Sequence, residues 1–411
     1  MAGFSADVKR YRWVVLGVTW LTYMSVYLIR NAVPPLSTFI VEDLSLSRFD
    51  IGLLASAVAV GYTVAQIPAG WLVDDLGVRK MILLGTSFAG ALVLGMYLVN
   101  NFSTALLLLI VAGFGCGAFP TVSTKALLTW FPIKERGTTI GINQTAVNVG
   151  GMITAATLPT VAIIYGWRIG FVAIGVVTIL IAFLAYTLYK DAPNTLVDVE
   201  PSNSKSKPNR KAALKLMLDR NILLISLSCV GLMIVQFAMT TYLIIYLKEI
   251  IGISVALAGG CLAIVNAGGA IGKPLFGAMS DRLFGGSRKK PLLLAGMLSF
   301  FFSILMQFIS SSTPYVVLSV IFALFGFSAL GWGGLNFVLV SEFAGRENAG
   351  LAVGYSNMIG LIGNIIGPPL FGLVIDTTGS YSWGWWFLTA SAMASVVGLA
   401  FVQEGSRKVR E

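Results

Sequence analysis

The sequence predicts an all-α integral membrane protein whose twelve transmembrane helices form two pseudo-symmetric six-helix bundles. Three observations carry this prediction. Of the 411 residues, 56% are hydrophobic and only 11% are charged, which a soluble domain of this size would not tolerate on its surface. Twelve apolar stretches are each long enough to cross a bilayer as a helix. The chain also repeats its own motifs about half its length apart.

The apolar stretches follow one another with short loops, so no separate soluble domain fits between them. Inside lipid every backbone polar group needs an internal hydrogen-bond partner, and runs of this length are therefore helices. The period-two alternation of barrel strands is absent. Spans 1 to 12 are predicted at about residues 13–34, 50–73, 81–99, 104–128, 138–164, 168–189, 221–247, 255–279, 291–310, 314–341, 351–375 and 384–403.

The internal repeat is clearest in two glycine-containing motifs with charged ends. Residues 70–74 recur as residues 277–281, an offset of 207, and residues 136–141 recur as residues 349–354, an offset of 213. A fixed period of this kind indicates duplicated structural units. Gly70 and Asp74 recur at this offset as Gly277 and Asp281. The residues singled out are Gly70, Asp74, Gly77 and Arg79 in the first copy and Gly277, Asp281, Arg282 and Arg288 in the second.

The repeat divides the chain into an N-terminal bundle (residues 1–190), a cytoplasmic linker (191–220) and a C-terminal bundle (221–411). The middle segment is rich in Pro, Ser, Asn and Lys, a composition typical of flexible linkers. A regulatory segment is the alternative interpretation.

The basic residues are distributed asymmetrically. Of the 28 Lys and Arg residues, 22 fall in the termini or in the loops after even-numbered spans, and only Arg48, Arg168 and Lys248 fall on the other side. This pattern predicts a multi-pass protein with both termini in the cytoplasm, and the short loops favour a bacterial inner (plasma) membrane. The net charge of +10 is thus explained by orientation and contact with membrane lipid, without nucleic acid.

Catalytic and metal-binding patterns are lacking. The chain contains no His, and its three Cys residues lie inside apolar stretches, where they suit packing better than metal ligation. No nucleophile–base set or phosphate loop stands out. We therefore expect no enzyme activity, no cofactor and no metal.

The motif at residues 70–80 resembles the signature motif of the major facilitator superfamily, and residues 277–282 resemble its second copy. One departure is Asp75, where the family usually has a basic residue. The resemblance implies the family fold and transport by alternating access of two bundles. It also implies that the eight motif residues named above form a conformational latch. Their alternative role is loop solvation and orientation.

Runs in spans 1, 4 and 5 resemble the organic-anion branches of this superfamily: the anion:cation symporters, the organophosphate:phosphate antiporters, and the oxalate/formate and monocarboxylate carriers. Span 1 contributes an arginine inside an apolar run, Arg30, with Tyr23 and Tyr27 on the same helical face. A guanidinium can hold a carboxylate or phosphate through two parallel hydrogen bonds. We predict that this cluster binds substrate; the alternative is that Arg30 extends to the membrane surface.

A second embedded cation, Lys273, lies two turns from Asn266 on one face of span 8. At the 207-residue offset its counterpart is Gln66. We predict that Lys273 and Asn266 bind substrate, with extension of the lysine to the cytoplasmic surface as the alternative. For Lys125, near the end of span 4, that surface position is the favoured prediction.

Further polar residues are predicted to line the transport path, although amides inside membranes also hold helices together. These candidates are Gln144, Asn148, Tyr242, Trp332, Asn336 and Asn357.

All 18 acidic residues lie in loops, termini or helix ends, whereas proton-driven symport usually relies on a titratable group inside the membrane. We therefore predict a transporter of small organic anions that works by exchange or uniport rather than classical proton symport. We expect the transporter to be a monomer. The alternatives are a carrier of neutral or cationic metabolites or drugs with the same fold, and a carrier-like sensor that does not transport.

Overall fold

The computed structural model describes residues 6–191, 216–345 and 348–403. Most of the predicted linker, both chain ends and residues 346–347 lie outside the described residues. Within those ranges the chain is helical and contains no strand. Fourteen α-helices in the described ranges are numbered α1 to α14: Ala6–Arg30, Val33–Leu44, Arg48–Leu94, Phe102–Gly117, Phe119–Trp130, Ile133–Tyr165, Trp167–Leu188, Arg220–Tyr246, Val255–Arg282, Lys289–Leu305, Tyr315–Gly331, Gly333–Ala344, Ala349–Thr378 and Tyr381–Ala400.

By length and hydropathy these helices supply twelve candidate membrane spans in the described ranges, which agrees with the predicted number. Span 1 is longer than predicted because α2 continues it to Leu44 after a break at residues 31–32. The break precedes Pro34 and Pro35, which favour the first turn of a new helix. Spans 4 and 10 are also broken in two, at Ala118 and at Trp332.

The predicted loop between spans 2 and 3 is mostly absent. Helix α3 runs through the whole signature motif, and the only non-helical dihedral angles inside it are those of Gly77 (φ 79°, ψ 163°). Because glycine adopts positive φ without a steric penalty, one residue is enough to redirect the chain between two membrane-length segments. The start of α3 is fixed by a capping box between Ser47 and Asp50, which satisfies the first free N–H groups of the helix.

The chain divides into two compact units. The N-unit comprises Met1–Asn203, Leu243–Ile245 and Ser254–Ala263, and the C-unit comprises Ser204–Tyr242, Tyr246–Ile253 and Ile264–Glu411. Large apolar side chains remain exposed along the spans, as lipid contact requires.

The same glycine contacts occur in both units. In the N-unit, a Cβ atom at Gly61 would clash with the backbone of Ile110, and one at Gly113 with that of Val58. In the C-unit the corresponding clashes are Gly268 with Ala323 and Gly326 with Val265. Each pair is related by the 207- or 213-residue offset of the sequence repeat. Small residues let membrane helices approach closely, so the repeat is a repeat of helix packing as well as of motifs.

Helix ends are tied together in a similar repeated way. In the N-unit the indole N–H of Trp167 donates to Asp43 (3.3 Å), which also forms an ion pair with Arg168 (2.9 Å). In the C-unit the hydroxyl of Tyr381 donates to Glu249 (2.9 Å). These contacts fasten the first residues of α7 and α14 to the ends of the first spans of their own units.

Candidate functional site

The N-unit contains a cluster of aromatic rings around a guanidinium. The guanidinium of Arg30 lies 4.1 Å from the ring centroid of Tyr62 and 4.8 Å from that of Tyr27. Its Nη1 donates a hydrogen bond of 2.9 Å to the Tyr27 hydroxyl. Aromatic faces attract cations, so the rings hold the guanidinium in place without neutralising its charge.

Helical spacing and helix packing build this cluster together. Tyr23, Tyr27 and Arg30 are spaced by four and three residues on α1, which places them on one face. The rings of Tyr23 and Tyr27 meet edge to face at 5.2 Å, and Tyr23 also stacks on Phe119 of α5 at 5.2 Å. The structure therefore brings the side chains of these three residues of span 1 into one cluster.

Arg30 has no acidic partner in the parts of the chain that the structure describes: no ion pair joins it to an Asp or Glu residue. The side chain is partly buried, and an embedded charge without an opposite charge is costly. Among the described residues, the positive charge of Arg30 therefore lies against aromatic rings and not against a carboxylate.

Two aromatic members of the cluster were not predicted. Tyr62 lies on α3 and Phe119 on α5, and both are buried. Their partners on α1 are distant in sequence, and no spacing within the chain signals these contacts. Tyr62 also lacks an aromatic counterpart in the repeat, because the 207-residue offset leads to Gly269.

Two predicted residues of the C-unit, Lys273 and Asn266, lie on α9 and are partly buried. Both take part in polar or other non-covalent interactions. The other candidates of this unit include Asn357, which is partly buried on α13.

Three candidates of the C-unit have contacts typical of a helix core. The buried hydroxyl of Tyr242 donates to the carbonyl of Pro368 at 3.0 Å. The indole N–H of Trp332 donates to the Ala329 carbonyl at 2.8 Å. The amide of Asn336 donates to the Ser356 hydroxyl at 3.4 Å. These contacts explain why polar groups are retained at buried positions.

The candidates of the N-unit on α6 are Gln144, which is partly buried, and Asn148, which is buried. On the same helix, Asn143 directly precedes Gln144, and its side-chain amide donates to the Ser123 hydroxyl at 2.7 Å. This bond corresponds to the Asn336–Ser356 bond of the C-unit, because an offset of 213 relates Ser123 to Asn336 and Asn143 to Ser356. The asparagine and the serine have exchanged positions between the two units.

The first copy of the signature motif forms an ion pair that the sequence did not predict. Lys125 of α5 donates to the Asp74 carboxylate at 2.6 Å and to the Val73 carbonyl at 3.1 Å. Arg79 contacts Tyr186: its Nε donates to the Tyr186 carbonyl at 2.8 Å, and its guanidinium lies 4.3 Å from the Tyr186 ring centroid. Lys125 thus extends to the signature motif and has a specific partner there.

The second copy forms a denser network around Arg288. Arg288 donates to Asp281, to the Ser280 hydroxyl at 2.8 Å and to Glu342 at 3.4 Å. Partial burial favours the neutral guanidine, but the hydrogen bond and charge of Asp281, followed by those of Glu342, outweigh it and raise the pKa of Arg288. Arg282 is exposed. A Cβ atom at Gly70 or Gly277 would meet no atom within 4 Å, so packing does not explain these two glycines.

Comparison with known proteins identifies the fold family. The family model of the Major Facilitator Superfamily matches residues 19–368, and a second match covers residues 271–410. The chain belongs to the Major Facilitator Superfamily. It is therefore a membrane transporter protein by family, as the signature motif predicted, and not an enzyme.

Relatives of this superfamily member include proteins named for organic acids. It is 28% identical to "Probable galactarate/D-glucarate transporter GudP" of Bacillus subtilis, over 94% of this chain and 90% of the relative. It is also 28% identical to "Membrane sensor protein UhpC" of Escherichia coli, over 96% of this chain and 92% of the relative.

A solved structure supports the fold of this superfamily member independently. A crystal structure of a bacterial homologue of the human lysosomal transporter Spinster, in an inward-facing and occupied conformation, superposes with a TM-score of 0.77. The sequences are 20% identical, and the match covers 95% of this chain and 96% of the other. At this identity the likeness concerns the fold alone.

Proposed function

We propose that this protein transports small organic anions, namely carboxylates or other acidic metabolites, and that Arg30 binds their negative charge. The observation that carries the proposal is the aromatic cluster around Arg30, in which no described carboxylate neutralises the guanidinium. An anionic substrate supplies the missing charge and can accept two parallel hydrogen bonds from the guanidinium. The name of the relative GudP, which refers to two sugar diacids, supports the same substrate class.

Other residues contribute to the proposed site. Tyr23 and Tyr27 position Arg30, and Lys273 with Asn266 adds a second donor group. Gln144, Asn148 and Asn357 are further candidates for contact with the anion. We assign Tyr242, Trp332 and Asn336 chiefly to holding helices in position, because their polar groups already have buried partners.

The proposed transport cycle is rocker-switch alternating access of the two bundles, residues 1–190 and 221–411, joined by the linker at 191–220. Exchange or uniport is favoured over proton symport, because the sequence places its acidic residues near the ends of the predicted spans or between them. Asp74 and Asp75 lie inside α3 but only two to three residues before its break at Gly77. The signature-motif residues bias the two conformations, each by a small amount of free energy.

The proposed location is the inner membrane, with both termini in the cytoplasm, following the distribution of Lys and Arg. We propose a monomer in contact with membrane lipid.

Counterflow into liposomes tests the substrate class. Wild-type protein is reconstituted with internal substrate, and uptake of labelled mono- and dicarboxylates, sugar acids and phosphate esters is measured. Arg30→Gln should reduce uptake at least 100-fold, and Arg30→Lys should recover only part of it, because lysine lacks the planar donor pair. Arg220→Gln, at an exposed guanidinium at the start of α8, is the matched control and should keep wild-type uptake. Wild-type uptake by Arg30→Gln would overturn the proposal.

Two measurements separate the finer alternatives. An imposed pH gradient that alone drives accumulation of an acid would replace exchange with proton coupling. A sensor is the second candidate function, because the relative UhpC is named as one. Ligand binding by purified protein without any counterflow would favour the sensor over the transporter.

A further inference from the structure

A second polar group lies close to the Arg30 cluster on α3. The side-chain Nε2 of Gln66 is shielded from solvent, and no residue that the structure describes accepts a hydrogen bond from it. An unmet donor in such a place is costly, and buried polar groups normally have partners. A ligand oxygen is therefore a candidate for the missing acceptor of Gln66.

The position of Gln66 relative to Arg30 follows from α3. Gln66 lies four residues after Tyr62, whose ring centroid is 4.1 Å from the Arg30 guanidinium. Residues four apart share one face of a helix and are separated by about 6 Å along its axis. The backbone of Gln66 thus lies about one helical turn from that of Tyr62, whose ring contacts Arg30.

The backbone at this turn of α3 is closely packed against α4. A Cβ atom at Gly117 would overlap the Tyr62 carbonyl and lie 2.8 Å from the Cβ of Ala65. These contacts fix the helix turn that carries Gln66. The glutamine residue as a whole is partly buried, and its Nε2 atom is the part that is shielded from solvent.

The repeat gives an independent reason to single out this position. At the 207-residue offset Gln66 corresponds to Lys273, and the same offset relates Gly61 to Gly268 in the glycine contacts of both units. The correspondence is therefore one of three-dimensional packing. Each unit places a long side chain with N–H donors at the equivalent point of its second span.

We infer that the Gln66 amide donates a hydrogen bond to a second oxygen-bearing group of the anion whose charge is bound at Arg30. This inference rests on the proposed function and narrows its substrate class. An acid that reaches both groups carries a hydroxyl or other oxygen several carbon atoms from its carboxylate. Polyhydroxylated acids of about six carbons meet this requirement, whereas unsubstituted carboxylates do not.

Binding of two probes of equal chain length tests the inference. The full-length purified protein is titrated with gluconate and with hexanoate, each of which has one carboxylate and six carbons. Wild-type protein should bind gluconate more tightly. Gln66→Leu should weaken gluconate binding about tenfold, as for the loss of one hydrogen bond, and change hexanoate binding less than about twofold. Gln66→Lys, which restores a donor, should retain gluconate binding.

Two controls exclude a folding defect. Gln66→Leu removes an unmet donor, so its melting temperature without ligand should equal or exceed that of wild type. Gln307→Leu makes the same change at a glutamine that bonds Ser382 at 2.9 Å, and should keep wild-type affinity for gluconate.

The failures of the two proposals are distinguishable. Wild-type gluconate binding by Gln66→Leu, equal weakening of both probes, or no gluconate binding by wild type would overturn the role of Gln66. Arg30-dependent counterflow of any acid would still support the proposed function in those cases. Counterflow that is insensitive to Arg30→Gln would overturn the proposed function itself.

Discussion

The two copies of the signature motif share a sequence pattern but form different ionic contacts. In the N-unit, Asp74 pairs with Lys125, which lies 51 residues away on α5. In the C-unit, Asp281 pairs with Arg288, seven residues away in the adjoining loop, and Arg288 also reaches Glu342. Each motif acid thus has a basic partner within its own unit, but the partner comes from a different element.

Glycine conformation explains the difference. The first copy has a single positive-φ residue, Gly77, after which the helix resumes at once and carries Arg79 to Tyr186. The second copy has two, Gly285 and Gly286. The N–H of Gly286 donates to the Ser280 carbonyl at 2.8 Å, so the chain folds back on the end of α9 and Arg288 lies beside Asp281. The comparison shows that both copies of a repeated motif can keep an ion pair to the motif aspartate although the basic partner comes from a different position.

Arg288→Gln should break the C-unit network and have the largest effect on stability. It removes hydrogen bonds to two carboxylates from a side chain that is 20% exposed, and we expect unfolding free energy to fall by about 2 kcal/mol. Thermal unfolding in detergent measures this. Lys290→Gln, at an exposed neighbour, should leave the melting temperature unchanged. Equal melting temperatures for the two variants would contradict the network.

A double-mutant cycle on Asp74 and Lys125 should give a smaller coupling in the N-unit. Asp74 is 71% exposed, so solvent screens the pair and we expect about 0.2–1 kcal/mol. The exchanged variant, Asp74→Lys with Lys125→Asp, should recover most of that coupling. A coupling larger than the effect of Arg288→Gln would reverse the ranking of the two motif copies.

The same residue tests the proposed latch. Asp74→Ala should slow counterflow by roughly fivefold while substrate affinity stays constant, because a free-energy change of about 1 kcal/mol alters the balance of two conformations by that factor. A fully active Asp74→Ala carrier would show that this carboxylate only solvates and orients the motif.

Arg79→Lys should have a still smaller effect, because it keeps the charge and removes only the stacking on Tyr186 and the Nε hydrogen bond to the Tyr186 carbonyl. Lysine keeps the charge but loses the planar group that lies against the Tyr186 ring, a contact worth about 0.5–1 kcal/mol at partly exposed sites. Lys80→Arg, at an exposed neighbour, is the control with the opposite exchange. A melting temperature for Arg79→Lys equal to that of wild type would assign the role of Arg79 to its charge.

The pH dependence of the C-unit network should be the smallest effect. The raised pKa of Arg288 means that its stabilising contribution is complete below the pKa of the unfolded state and is lost only as pH rises through the higher pKa of the folded state. The difference in melting temperature between wild type and Arg288→Gln should therefore stay constant from pH 6 to 9. A difference that shrinks towards pH 9 would show that the guanidinium is not the charged partner.

The sequence predicted the parts of the site that depend on one helix. Tyr23, Tyr27 and Arg30 could be grouped from their spacing, because helical periodicity fixes which residues share a face. Helical periodicity does not predict the contacts between helices. The contacts of Tyr62 and Phe119 with the cluster, and of Lys125 with Asp74, arise only from the packing of α3 and α5 in three dimensions.

Composition, apolar runs and the offset of 207–213 residues by themselves determined a twelve-span membrane protein with a duplicated plan, because lipid leaves a long apolar segment no alternative to a helix. Tertiary structure decided which side chains meet. Glycine contacts such as that of Gly113 with Val58 set how closely two helices approach, and single residues such as Gly77 set where the chain turns. Pairings across 50 residues or more depend on those distances and angles, which local sequence does not encode.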